Sequence, residues 1–361
     1  MRALQAIGDK VAAGQRVSEQ ETRDLYECID LLELGRVASL ARQQHDAEQC
    51  NLVEIRRVRY SNVCRNQCRH CDLSCAPGAP DAFTRSVDAV ADLVGEAVAA
   101  GMDQIQLVGG SNPDAPYDYY LDMVSTIRAL YPDIHMQGFA PEQLANIATF
   151  ADLTMDAVLN DLLEAGLDSV LEDGADIFNH QLRTYLCPAK ATGGMWLHAM
   201  REAHELGFHT GASMLYGHCE GPEAKAEHLT RLRDLQDDTH GFTFFAPRAY
   251  RPNGKLKNGN GLVGGTEDIR EFAVGRIALP NVPHIRCYSN DLGMKTTQIA
   301  LQFGVDTAAV VVHDGEPIDD GERAQRGMPN ASQLRELVSH VCVRVCDAGL
   351  DQRPLVGEPQ E

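Results

Sequence analysis

From Val53 onward, short runs rich in β-branched and aromatic residues alternate with long amphipathic stretches for about 250 residues, and few architectures accept that pattern. The strand-like runs are VEIRRVRY, QIQLVGG, IHMQGFA, DSVLEDG, HTGASML, GFTFFAP, HIRCYS and AAVVV. Between them lie SVDAVADLVGEAVAAG, YYLDMVSTIRAL, WLHAMREAHELG, AEHLTRLRDLQDD, IREFAVGRIAL and MKTTQIALQFG, whose apolar positions recur at helical spacing. Strand-then-helix order predicts parallel strands with helices packed outside, and a TIM-type (βα)₈ barrel of the α/β class is the favoured closure. A doubly wound open sheet gives a similar pattern and stands as the alternative.

Residues 1–50 read as an N-terminal helical extension. Leu4, Ile7 and Val11 recur at helical spacing, and Ser18 with Glu21 makes a capping box ahead of LYECIDLLELGRVASLAR. The expected organisation is this extension, a barrel over 51–350 that includes a C-terminal helix, and a disordered tail at 351–361. The loop PNGKLKNGNGLVGG at 252–265 reads either as an active-site lid or as a surface excursion. The first residues lack an apolar h-region, and no run of about 18 uncharged apolar residues follows, so a cytoplasmic protein without a membrane partner is expected. Acids outnumber bases 52 to 32, for a net charge of −20, which argues against a nucleic-acid partner because phosphate binding needs clustered cations. Eleven cysteines are an odd number, too scattered for a secreted disulfide scaffold, and reduced thiols are expected.

Four of those cysteines crowd into one loop. Cys64, Cys68 and Cys71 have the spacing C-x3-C-x2-C directly after the first predicted strand, at the rim where barrel enzymes place their chemistry, and Cys75 follows. Three thiolates hold three irons of a [4Fe–4S] cluster and leave the fourth open to a small ligand, as reductive cleavage of S-adenosylmethionine (SAM) requires. A zinc knot completed by Cys75 or His70 is the alternative, although zinc loops more often pair two C-x2-C units and no second unit occurs downstream.

The segment Tyr60-x-Asn62-x-Cys64-x3-Cys68-x2-Cys71 resembles the cluster motif of the radical SAM group that contains aminofutalosine synthase, dehypoxanthinyl futalosine cyclase and F0 synthase. The likeness continues through LLELGRVASLAR, VGGSNPDAPYDYYLDM, LLEAGLDSV, GADIF, CPAK, AHELGFHTGASMLYGH and HLTRLRDLQDDTHGF, and it is strongest toward aminofutalosine synthase. The resemblance implies a menaquinone-type pathway, a one-electron reductant such as flavodoxin or ferredoxin, and SAM lying over the cluster. Gly109 and Gly110 match the backbone that binds the methionyl amino group, with His70, Ser111 and Asn112 nearby.

The chain departs from that group at four places. His70 stands where an aromatic residue is usual, Asn112 replaces a histidine, Gln137 replaces a lysine, and Leu171-Glu172-Asp173-Gly174 replaces a Pro-Gly-Gly-Gly segment. Glu172 and Asp173 read either as caps of the next helix or as carboxylates facing the cavity. In the cavity they disfavour the dianionic enolpyruvyl benzoate of aminofutalosine synthase, because a like charge at about 4 Å costs on the order of 4 kcal/mol at an effective dielectric near 20. Gln137, Glu172, Asp173, Ser213, Arg248 and Arg286 are the expected substrate contacts, and Tyr216 and His218 the expected movers of a proton or quenchers of a radical. Arg248 and Arg286 read either as carboxylate clamps or as ion-paired residues. Three functions follow: addition of a 5′-deoxyadenosyl radical to an unsaturated acceptor, hydrogen abstraction as in the cyclase and F0 synthase, or a zinc or iron–sulfur scaffold without catalysis.

Overall fold

The structure, a computed structural model, describes residues 2–45, 48–71, 73–250 and 263–348. Most of the 252–265 loop and all of the 351–361 segment lie outside them.

Each predicted strand forms: β1 (Gln49–Ser61), β2 (Gln104–Gly109), β3 (His135–Gly138), β4 (Ser169–Val170), β5 (Thr210–Tyr216), β6 (Phe242–Ala249), β7 (His284–Tyr288) and β8 (Thr307–His313). All pair in parallel in the order β4-β3-β2-β1-β8-β7-β6-β5. The first strand therefore sits between the second and the eighth, which makes a nearly closed barrel and sets aside the doubly wound alternative. At the seam between β4 and β5, Leu215 N–H donates to Asp176 O (2.7 Å) and Ser213 Oγ to Glu172 O (2.7 Å).

The strands are buried on both faces, as expected of a parallel sheet covered by helices. Val53, Ile55, Phe244, Ala246, Tyr288, Ala309 and Val311 cluster together as one core. A larger core brings Val58, Ile105 and Met136 of the strands together with Val94, Met123, Ile127 and Ile147 of the surrounding helices. Side-chain caps start these helices where the sequence supplies them: Ser86 caps Val87–Ala99, Thr154 caps Met155–Ala165 and Thr192 caps Gly193–Glu205.

The extension is three helices, α1 (Arg2–Ala12), α2 (Glu19–Tyr26) and α3 (Leu31–Arg42), and Ser18 with Glu21 forms the capping box. Helix α3 packs on the helix Gly265–Ala278. Gly35 lies against the Phe303 ring, where an added Cβ would stand 2.5 Å from a ring carbon. Helix α2 docks through Tyr26, whose hydroxyl donates to Glu271 (3.0 Å) while its ring lies 4.1 Å from the Lys225 ammonium. Lys225 in turn pairs with Glu271 at 2.5 Å.

Two features at the far end of the barrel differ from expectation. A ninth strand, β9 (Arg344–Asp347), pairs in parallel with the start of β1. The helix Ala331–Ser339 precedes it, and the return of this segment brings Cys342 to Cys50, where the two form a disulfide. The expectation that all cysteines are reduced thiols is corrected there. Partners 292 residues apart leave no local spacing to read.

Burial raises the Glu271 pKa to about 7, opposed by Lys225. A carboxyl whose pKa is raised by folding adds stability below its unfolded value of 4.5 and loses it as the pH rises through about 7. Wild-type melting temperature is expected to fall across that window by the equivalent of about 1–3 kcal/mol, and Glu271→Gln to flatten the dependence, as thermal melts at a series of pH values will show.

Candidate active site

A cavity of about 370 Å³ opens at the C-terminal ends of the strands. Strand β1 leaves the barrel at Ser61, and the cysteine loop turns back over the end of β2. Cys64 N–H donates to Cys75 O (2.9 Å), Cys75 N–H to Asn62 O (2.8 Å) and Arg65 N–H to Ser111 O (3.0 Å). The Asn62 side chain fixes the return by donating to Asp81 O (2.8 Å) and accepting from Phe83 N–H (2.7 Å). Cys64, Cys68 and Cys71 line the cavity, whereas Cys75 does not.

The two glycines after β2 are required by packing. A Cβ on Gly109 would stand 2.3 Å from the Tyr60 ring, and one on Gly110 would stand 2.2 Å from Val63 O and 2.6 Å from Cys64 Cβ. Only bare backbone lets the loop settle on β2. Three thiols on one cavity, with no fourth cysteine lining it among the described residues, fit a four-iron cluster that keeps one iron open.

A buried ion network supports the loop from the other side. Asp176 pairs with Lys190 (2.8 Å), His70 (3.2 Å) and Arg183 (3.5 Å), and Lys190 reaches Glu142 (3.4 Å). Burial alone would raise the Asp176 pKa, but Lys190, His70 and Arg183 bring it well below the usual carboxylate range. Burial raises the pKa of Glu142, against Lys190. A hydrogen bond with Cys187 lowers the Cys68 pKa to about 7 against burial, and burial raises that of Cys71. His70, Asp176 and Cys187 have the donor types of a metal site, with ligand atoms within 4.8 Å of one another. The Lys190 ammonium already answers the Asp176 charge, so the trio fits an ion network better than a second cation site.

Of the expected cofactor contacts, His70, Gly109, Gly110 and Ser111 line the cavity. Asn112 does not, because its amide donates to Thr84 Oγ1 (3.2 Å) and accepts from Asp114 N–H (3.0 Å), holding the turn. Of the expected substrate contacts, Asp173, Ser213 and Arg248 line the cavity. Arg248 pairs with Asp291 (3.1 Å) and lies 4.2 Å from the centroid of the Tyr288 ring. Glu172 is fully buried and accepts from the Tyr288 hydroxyl, and its second oxygen has no hydrogen-bond partner among the described residues. Neither acid caps the next helix, since Asn179 does so.

Four other expectations are corrected. Gln137 is buried away from the cavity, its amide engaged with Gln106 and Val170 O. Arg286 is fully buried with its guanidinium 3.5 Å from the centroid of the Phe244 ring. The Tyr216 hydroxyl donates to Asp268 (2.7 Å) on the outer helix Gly265–Ala278, and burial raises its pKa. His218 uses both ring nitrogens, on Glu220 (3.1 Å) and Leu215 O (3.1 Å), and burial lowers its pKa. Neither is among the residues lining the cavity.

Sequence reasoning missed Asp176, Lys190, Glu142 and Arg57, all of which line the cavity. The first two lie in GADIF and CPAK, segments that carry the family resemblance without a role attached. Arg57 sits inside the first strand run, where strand pattern hides it.

The model of the Radical SAM superfamily matches residues 58–232. The aminodeoxyfutalosine synthase of Thermus thermophilus is 35% identical over 337 residues, covering 92% of this chain and 89% of that protein. The 5-amino-6-(D-ribitylamino)uracil–L-tyrosine 4-hydroxyphenyl transferase of Methanopyrus kandleri is 36% identical, covering 77% of each chain. The cyclic dehypoxanthine futalosine synthase of Halalkalibacterium halodurans is 29% identical, covering 84% of this chain and 82% of its own. Among solved structures, the FeFe-hydrogenase maturase HydG of Carboxydothermus hydrogenoformans has the same fold, with a TM-score of 0.73 at 16% identity over 97% of this chain and 80% of that one.

Gly110→Ala forces Val63 and Cys64 to move, which as overpacking costs about 1–3 kcal/mol. The variant is expected to melt lower and, after anaerobic reconstitution, to hold markedly less iron than wild type, as metal analysis will read.

Proposed function

The chain belongs to the radical SAM superfamily, whose members use a [4Fe–4S] cluster and SAM, and from that premise we propose that Cys64, Cys68 and Cys71 bind the cluster in an enzyme that adenosylates an unsaturated small molecule. The observation that carries the proposal is the convergence of these three thiols on one cavity whose wall includes Gly109 and Gly110. When bound, the cluster supplies the electron that splits SAM into methionine and a 5′-deoxyadenosyl radical.

The chain's own residues then bind and orient. The backbone of Gly109 and Gly110 receives the methionyl amino group of SAM, and His70, held by Asp176, presents its ring beside the cluster thiols. Asp173 and Ser213 accept hydrogen bonds from hydroxyl or amino groups of the acceptor. Arg248, held by Asp291, has a buried Nη1 without a hydrogen-bond partner among the described residues and offers it to a polar acceptor atom. The carboxylate at the end of β4 favours an acceptor carrying less negative charge than enolpyruvyl benzoate. A one-electron donor such as flavodoxin or ferredoxin completes the cycle.

A second reading, hydrogen abstraction with release of 5′-deoxyadenosine as the resemblance to the cyclase implies, is supported by the 29% identity to the cyclic dehypoxanthine futalosine synthase. Mass spectrometry after anaerobic reconstitution and reduction with SAM separates the possibilities. Cleavage that needs all three cysteines, abolished in Cys64→Ala, Cys68→Ala and Cys71→Ala, is the expected result, with adenosine joined to the product. Free 5′-deoxyadenosine accompanying substrate conversion would favour the second reading, robust turnover of enolpyruvyl benzoate would remove the altered acceptor, and no cleavage by fully loaded protein would remove the enzyme.

A further inference from the structure

The cations lining the cavity differ in how their charge is answered. Lys190 pairs with Asp176 and Glu142, and Arg248 with Asp291. Arg57 makes no ion pair among the described residues. Its Nε and Nη2 both donate to a neutral acceptor, Gln106 Oε1, at 3.0 and 2.7 Å. That bond is the last in a chain crossing four strands: Gln137 Nε2 donates to Val170 O (3.2 Å), and Gln106 Nε2 donates to Gln137 Oε1 (2.7 Å). Each amide has its donor end and its acceptor end committed, so the backbone carbonyl of β4 fixes the direction of both. Arg57, Gln106 and Gln137 are register partners on β1, β2 and β3 and therefore face the same way. One edge of the guanidinium is held by the chain, which leaves the remaining N–H groups for a planar anion.

The depth of Arg57 separates it from the cluster loop. Its partner Gln106 lies three residues before Gly109 on β2, about 10 Å deeper at the usual strand rise.

We propose that Arg57 binds a carboxylate of the acceptor substrate at the cavity floor, with Gln106 and Gln137 as positioning residues that orient it. The proposal rests on the substrate reading above and deepens it: the acceptor carries one carboxylate for Arg57 together with hydroxyl or amino groups for the β4 end. It also gives Gln137 a different part from the one its sequence position implied. The positive charge is carried by β1, and the β3 residue serves as its support.

The test uses cluster-loaded protein with SAM and no reductant, titrated calorimetrically with benzoate and with benzamide, which match in shape but differ in charge. Wild type is expected to prefer benzoate by about tenfold or more. Arg57→Gln is expected to erase that preference, Arg57→Lys to keep part of it, and Gln137→Leu to reduce it about threefold or more while leaving benzamide affinity unchanged, a pattern that general loosening would not produce. Equal affinity of wild type for the two probes, or equal benzoate affinity in wild type and Arg57→Gln, overturns the proposal. Weaker SAM binding in Arg57→Gln with benzoate affinity intact also overturns it, by assigning the guanidinium to the carboxylate of SAM, and tighter binding of inorganic phosphate than of benzoate overturns the choice of a carboxylate. No turnover is required, so protein that shows the expected selectivity yet fails to cleave SAM would refute the proposed function and leave the anion site standing.

Discussion

The contact between the backbone of Gly110 and the Val63 carbonyl governs what stands above the barrel. Strands β1 and β2 pair in register up to Arg59, shift at Ser61, and then part as the cysteine loop turns over the end of β2. Because no side chain intervenes, the loop rests directly on the sheet and inherits its rigidity. The Tyr60 ring fills the space beneath Gly109, inside an aromatic group with Tyr119, Tyr120 and Phe139 at centroid distances of 5.5–6.3 Å. Gln143 ties that group to the rim by donating to the Tyr60 hydroxyl and to Gly110 O. The thiols are thus placed by packing that begins deep in the barrel.

The other side of the loop is held by charge. Taking Asp176, Lys190 and Glu142 out of water carries a large desolvation cost, offset only while every member keeps its partners, so the loss of one leaves the others uncompensated. Asp176 also accepts the Leu215 N–H through its backbone oxygen, across the β4–β5 seam that no continuous ladder closes. A single residue therefore links closure of the barrel to the seating of His70 beside the cysteines.

The eight strands of the barrel are legible in the sequence because short runs rich in β-branched and aromatic residues recur between amphipathic stretches. The short polar strand RVCD of β9 offers neither run length nor alternation and escapes notice. The cysteine spacing and the Gly109–Gly110 pair are legible because both are local. Tyr216 shows where such reading stops: Ser213 and Leu215 line the cavity, and in a strand the residue following Leu215 points to the opposite face, so Tyr216 meets Asp268 outside the barrel. Gln137 has the orientation expected of a pocket residue but is consumed by its neighbours, which only the register of three strands reveals. The ion network is long-range, with Lys190 and His70 meeting at Asp176 from separate segments, and no local pattern announces it.

The disulfide between Cys50 and Cys342 stands at the opposite end of the barrel from the free thiols of Cys64, Cys68 and Cys71. A medium reducing enough to open the lower bond as well would remove this cross-link. With that bond open, the final segment keeps its place through the β1–β9 ladder, the Arg344 N–H to Glu48 O bond (3.0 Å) and the buried Leu334 and Val338. The protein with the bond closed and the protein with it open are two covalent forms of one fold, and a melting temperature recorded on the first overstates the resilience of the second.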